Sequence, residues 1–349
     1  MKSTEQILSG QALLGEDLLF SPADIHIRDG IIIAIEENPR APPVILCPAL
    51  FNAHTHLGDT IAMDCGVTGD LISLVTPPDG LKHRLLAAAS REDLVAGMRE
   101  SLEGMARSGT AGCADFREGG REGVLALRDA ARGLPVTPLV FGREGGELIA
   151  GGLGISSTRD CADAERQVGE ARKSGKMVAF HAGERDSEDV DSALAFDPDL
   201  IIHATHATKK QLRFCAENGI PIAVCPRSNW ILGVTNTSRH PPIRLMQDCG
   251  CRILLGTDNV MFVPPDLFSE MAFVSAIYGL EPREILHSAV DGSFLTGSPY
   301  FIRKGAPANL FAISFSASAL RFSRDPLATL VKRANFADIG NNVFNLQLK

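Results

Sequence analysis

The sequence predicts an α/β protein: a (β/α)8 (TIM) barrel with a small β-sandwich domain built from both chain ends. Three observations predict it. Short apolar runs alternate with helical stretches about eight times through the middle of the chain, the pattern of a parallel barrel. Residues 24–28 (DIHIR) and 31–36 (IIIAIE) are β patterns flanking Asp29-Gly30, a strong hairpin signal. Residues 304–314 (KGAPANLFAIS) run from Gly/Pro punctuation into another apolar strand. The ends, residues 1–47 and 298–349, are therefore expected to share the sandwich, with the barrel in residues 48–297 between them.

Barrel strands are expected to end near Phe51, Phe116, Phe141, Ile155, His181, His203, Cys225 and Thr257. Helices are expected over residues 91–108, 120–132, 161–174, 209–218 and 266–278. Asp266 stands as an N-cap, and Gly109, Gly133, Gly175 and Gly219 stand where helices should stop. Only residues 144–150 separate the third and fourth strands, so the helix between them must be abbreviated.

The 349 residues suit one large barrel with a modest accessory domain, and 45% hydrophobic residues suffice for a full core. A net charge of −8, with Lys and Arg outnumbered and scattered, argues against nucleic-acid binding. No run of about 18 apolar residues is present, so no membrane span is expected. The opening MKSTEQILSGQ does not read as a signal peptide. The eight cysteines lie mostly in strand-like or helical stretches without any CxxC spacing, which favours reduced, buried thiols in a cytoplasmic protein.

Four segments carry the chemistry. Pro48-Ala49-Leu50-Phe51-Asn52-Ala53 leads an apolar strand into His54-Thr55-His56. Residues i and i+2 of a strand point to one face, so both imidazoles aim at one point above the barrel mouth, a metal-binding arrangement. Phe180-His181-Ala182-Gly183-Glu184 places a histidine at a strand end and a carboxylate on the loop beyond, so that His181 can bind metal while Glu184 moves protons. In Ile202-His203-Ala204-Thr205-His206, His203 ends the strand and is favoured for the site, with His206 as a supporting or capping residue. Asp258 follows a buried strand behind Gly256-Thr257, a costly place for a charge unless it binds a cation or accepts a proton.

On these residues the chain resembles the amidohydrolase superfamily, in its composite-domain deaminase and chlorohydrolase branch, which includes cytosine, guanine and S-adenosylhomocysteine deaminases. The segments PALFNAHTHL, FHAGE, HATHAT, CPRSN, LLGTDN and KGAPANLF fall in the family's order across nearly the whole chain. The resemblance implies that His54, His56, His181 and Asp258 are metal ligands, that Glu184 shuttles protons and that His203 polarises the substrate. Binuclear members use a carboxylated lysine from the fourth strand, and residues 136–157 contain no lysine. One divalent ion is therefore expected, zinc first, with iron and manganese as alternatives that the ligand set tolerates. The implied reaction is hydrolytic deamination of a purine-like or other aminated heterocycle by a metal-bound hydroxide, with Glu184, His203 and Asp258 as catalytic residues.

The expected partner is a small-molecule substrate, and a homodimer is the default assembly. Arg143 at the third strand end, Asp115 and Arg117 at the second, and Arg227, Asn229 and Trp230 after the seventh are candidates to bind substrate. Asp59 either touches substrate or caps a turn, and residues 59–88 are long enough to form a lid. Two further readings stay open: a chlorohydrolase or cyclic-amide hydrolase of the same superfamily, and an inactive barrel serving as a binding or assembly module. Ser228 lacks a GxSxG setting, so a serine hydrolase is not indicated.

Overall fold

The computed structural model describes residues 5–65, 71–316 and 318–343. The chain opens with β1 (Glu5–Leu14), β2 (Leu19–Arg28), β3 (Ile31–Glu37) and β4 (Val44–Pro48). The barrel strands follow: β5 (Leu50–His56), β6 (Thr110–Arg117), β7 (Thr137–Gly142), β8 (Gly152–Ile155), β9 (Met177–Ala182), β10 (Leu200–His203), β11 (Ile222–Val224), β12 (Ile253–Leu255) and β13 (Asp258–Asn259). The chain returns through β14 (Leu310–Ser314) and β15 (Ile339–Val343).

Strands β1–β4, β14 and β15 form one mixed six-stranded sheet, in the order β15-β14-β4-β1-β2-β3. Asp29 (φ 50°) and Gly30 (φ 77°) make the β2–β3 turn, both in the left-handed region that a two-residue hairpin requires. The N-terminal and C-terminal segments meet where β4 pairs antiparallel with β14, Cys47 opposite Phe311.

The second sheet runs β12-β11-β10-β9-β8-β7-β6-β5-β13, every pair parallel. Strands β12 and β13 are two pieces of one eighth strand. The first pairs with β11, and the second pairs with β5, Asp258 opposite Thr55. Between them the Gly256 amide donates to Val224 and the Thr257 amide to His54. Gly256 is required here because a Cβ would lie 2.8 Å from His54 Cβ. This interrupted strand closes the barrel and puts Asp258 beside the histidine strand.

Helices Arg91–Arg107, Gly120–Ala131, Ala164–Lys173, Lys209–Glu217 and Leu267–Tyr278 match the expected stretches within a few residues at each end. Asp266 caps its helix by accepting from the Phe268 and Ser269 amides. Between β7 and β8 the helix is reduced to a single 3-10 turn, Gly146–Leu148. Among the described residues, no helix is long and apolar enough to cross a membrane. All eight cysteines are unpaired.

Candidate active site

His54, His56, His181, His203 and Asp258 meet at the carboxyl ends of their strands. The His54 ring centroid lies 4.9 Å from His56, 4.8 Å from His181 and 5.6 Å from His203. Asp258 Oδ1 is 3.2 Å from His54 Nε2 and 3.6 Å from His56 Nε2. The donor atoms form two overlapping groups, His54–His56–His181 and His54–His203–Asp258, each within 4.8 Å. All five residues are buried.

The backbone at this site is strained. His203 (φ 77°), Ala204 (φ 48°) and Asp258 (φ 61°) all occupy the left-handed region. Non-glycine residues there cost on the order of 1–3 kcal/mol each, and the surrounding structure must hold them. The Ala204 amide donating to Ala182 and the His206 amide to Gly183 supply part of that hold.

Burial depresses the imidazoles, His54 to about 4 and His56 to about 3, and takes His181 well below the usual histidine value. They are thus neutral near pH 7, the form that ligates metal. Burial alone would raise Asp258, but the His54 imidazole 3.2 Å from its Oδ1, with His203 and His56 beside it, holds it well below the usual carboxylate range. Ser228 Oγ donates to Asp258 Oδ2 at 2.6 Å. The His181 Nδ1 position is fixed 2.9 Å from the Ile155 carbonyl, leaving Nε2 for the cluster. Glu184 Oε1 stands 3.5 Å from His203 Nε2, and burial raises the Glu184 carboxyl above its ordinary value.

Whether these residues fit a metal can be judged from their own bonding. Neither ring nitrogen of buried His54 has a hydrogen-bond partner of adequate geometry, and His203 Nδ1 has none. Buried polar atoms normally find partners. Four imidazoles and a carboxylate with unspent donor atoms make a set suited to zinc or a similar divalent ion.

The cavity over this cluster is lined by His56, His181, Glu184, His203 and Asp258, with Arg143 on its wall. Residues from the segment after β5, including Thr76, Lys82 and His83, complete it. His206 lies outside, its ring 5.0 Å from His240. The other candidates for substrate contact are engaged elsewhere. Asp115 accepts from the Leu57 amide (2.7 Å) and Thr55 Oγ1 (3.2 Å), bracing the loop after the histidine strand. Arg117 is buried between Asp115 (3.3 Å) and Glu118 (2.6 Å). Arg227 pairs with Glu270 at 2.6 Å. Asn229 donates to Thr205 Oγ1, and Trp230 packs edge-on against Phe273.

Sequence reasoning passed over Glu118 and Lys82. Glu118 Oε1 lies 2.8 Å from His56 Nδ1, and Lys82 Nζ lies 2.9 Å from Glu118 and 3.0 Å from Asp59. The signal for Glu118 was its place at the end of β6; Lys82 gave none.

A closed parallel barrel whose mouth gathers histidines and an aspartate defines a metal-dependent hydrolase architecture. Comparison with known proteins agrees. Residues 45–167 match the family model "Amidohydrolase family", and residues 151–298 match "Adenosine deaminase". A protein provisionally named an aminohydrolase, from Methanothermobacter thermautotrophicus, is 31% identical over 376 residues covering 95% of each chain. A triazine hydrolase variant superposes with TM-score 0.82 at 16% identity, covering 98% of this chain and 93% of that one. A zinc-bound adenosine deaminase from Xanthomonas campestris superposes with TM-score 0.75 at 17% identity, covering 97% and 91%. The chain belongs to the amidohydrolase superfamily.

Proposed function

We propose that the protein is a metal-dependent deaminase that replaces the exocyclic amine of an aminated heterocycle, purine-like or related, with oxygen from water. The barrel of residues 48–297 would carry the reaction. The observation that carries this reading is the convergence of His54, His56, His181, His203 and Asp258 with Glu184 poised at His203. The adenosine deaminase match over residues 151–298 supports deamination over the other reactions of the superfamily.

His54, His56, His181 and Asp258 would hold one divalent ion. When bound, such an ion supplies acidification of water toward pKa about 7 and Lewis-acid polarisation. The protein groups do the rest. Asp258, oriented by Ser228, accepts the proton of the attacking water. Glu184, whose carboxyl burial raises above its ordinary value, protonates the ring nitrogen beside the attacked carbon, takes up the hydroxyl proton of the adduct as the C=O bond forms and delivers it to the leaving amine; the proton held by Asp258 then returns to Glu184. His203 steadies Glu184 and the developing charge. The C–O bond forms, the C–N bond breaks and ammonia leaves.

The test is ammonia release across purines, pyrimidines and triazines after zinc reconstitution. Release from at least one aminated ring is expected. Chloride release from chlorinated triazines with no ammonia from any ring would replace the reading with dechlorination.

A further inference from the structure

Three cationic side chains line the cavity: Lys82, Arg143 and Arg185. Lys82 is held by Asp59 and Glu118. Arg185 donates to Thr76 Oγ1 at 3.3 Å and lies 3.9 Å from Asp160. Arg143 differs from both. It is only 9% exposed, yet Nε and Nη2 of its guanidinium have no hydrogen-bond partner. Among the described residues no carboxylate lies within ion-pair distance of it.

The chain treats its structural arginines otherwise. Arg117 is buried against two carboxylates, and Arg227 against Glu270 and two carbonyls, those of Pro264 and Asp266. A guanidinium cannot shed its charge when buried, so an unpaired one carries a large desolvation penalty. Arg143 therefore lacks the counter-group its burial demands, and its side chain forms part of the wall of the cavity where substrate would sit.

Its backbone is also fixed. A Cβ on Gly142 would lie 2.4 Å from the Gly146 carbonyl carbon. One on Gly146 would lie 2.7 Å from the Gly120 oxygen, and one on Gly120 2.7 Å from the Glu144 oxygen. Main chains of two segments, the β7–β8 loop and the turn after β6, thus interlock beside Arg143. Its charge reaches His181, Lys82 and His83, which places it between the metal-binding cluster and the segment that follows β5.

We propose that Arg143 is an anion-recognition group and that the substrate of this cavity is a heterocycle bearing a carboxylate or a phosphate. The inference rests on the hydrolase reading of the same cavity and adds the substrate's charge to it. The anion would accept two parallel hydrogen bonds from the guanidinium fork, an arrangement that a lysine cannot reproduce.

Two measurements on the zinc-reconstituted full chain test it. The first compares kcat/KM within matched pairs: adenosine with adenosine 5′-monophosphate, and 2,4-diamino-1,3,5-triazine with its 6-carboxylate. The wild type is expected to prefer the anionic member of at least one pair, which also distinguishes phosphate from carboxylate. Arg143→Met is expected to lower that preference about 100-fold, and Arg143→Lys to restore only part of it. The second titrates inorganic phosphate and benzoate into the wild type and Arg143→Met, with thermal unfolding and zinc content recorded to establish that the variant is folded and loaded. Binding at least tenfold weaker in Arg143→Met is expected for one of the two anions. Preference for the neutral member of every pair, or an unchanged preference in Arg143→Met, would overturn the proposal. If no ring releases ammonia, the deaminase reading fails alone, and the anion titration decides: equal affinities in the two proteins overturn the role of Arg143, and a tenfold loss upholds it.

Discussion

The Ser228 hydroxyl donates to Oδ2 of Asp258 at 2.6 Å, which leaves Oδ1 turned toward His54. Ser228 is fully buried, and it sits on a short helix, Pro226–Ile231, that follows β11. It thus selects which oxygen of the aspartate faces the cluster. Ser228→Ala should weaken zinc affinity about 10- to 100-fold, the usual effect of removing a group that orients a ligand. Competition with a chromophoric chelator measures this. Unchanged affinity would mean that the strained backbone at Asp258 alone sets its orientation.

Glu184 is the group assigned to proton transfer and is not among the grouped donor atoms. Glu184→Gln should therefore retain zinc and lose turnover about 10²- to 10⁴-fold. Zinc analysis and ammonia release on the same sample check both halves. Full turnover would remove Glu184 from the mechanism, and loss of zinc would make it a ligand.

Arg227 serves stability rather than substrate contact. Its guanidinium neutralises Glu270, which has no exposed surface. Arg227→Met strands that carboxylate and should cost about 3–5 kcal/mol. Urea unfolding of the metal-loaded protein reports the loss. The double variant Arg227→Met/Glu270→Leu should recover most of it, because the uncompensated charge is gone.

These residues show where sequence reasoning reaches and where it stops. Strand ends were readable because apolar runs terminate abruptly in His54, His181, His203 and Asp258, and a parallel barrel turns each such end toward one mouth. The residues after the seventh strand were not readable to the same depth. Once Pro226–Ile231 is a helix, neighbouring side chains diverge: Ser228 reaches Asp258 and Asn229 reaches Thr205, while Arg227 reaches Glu270 and Trp230 reaches Phe273. A strand-to-loop reading gives no such division. Lys82 was invisible for another reason. Its helix, Leu81–Ala88, lies in the stretch expected only as a lid, and the lysine is enclosed by Asp59 and Glu118, which arrive from other parts of the chain.

Asp59 gives a pH signature. Burial raises its carboxyl above the ordinary range, with the Lys82 charge acting against that rise. An unfolded aspartate titrates near pH 3.9. Between that value and the raised folded one, the native state holds more protons than the unfolded state, so stability falls as pH rises through the interval. Crossing each full pH unit of that interval costs the fold about 1.4 kcal/mol. Asp59→Asn removes this slope. Unfolding free energies measured between about pH 4, the unfolded aspartate value, and about 7, the value to which burial raises Asp59, should show the variant gaining on the wild type as pH rises. Parallel curves would mean that Asp59 stays ionised throughout.

The most direct test of the central claim is metal stoichiometry by mass spectrometry after stripping, zinc reconstitution and desalting. One zinc per chain is expected for the wild type, with none retained by His54→Ala or His181→Ala. A wild-type protein that retains no divalent ion, or variants that retain as much as the wild type, would contradict a metal centre at this cluster.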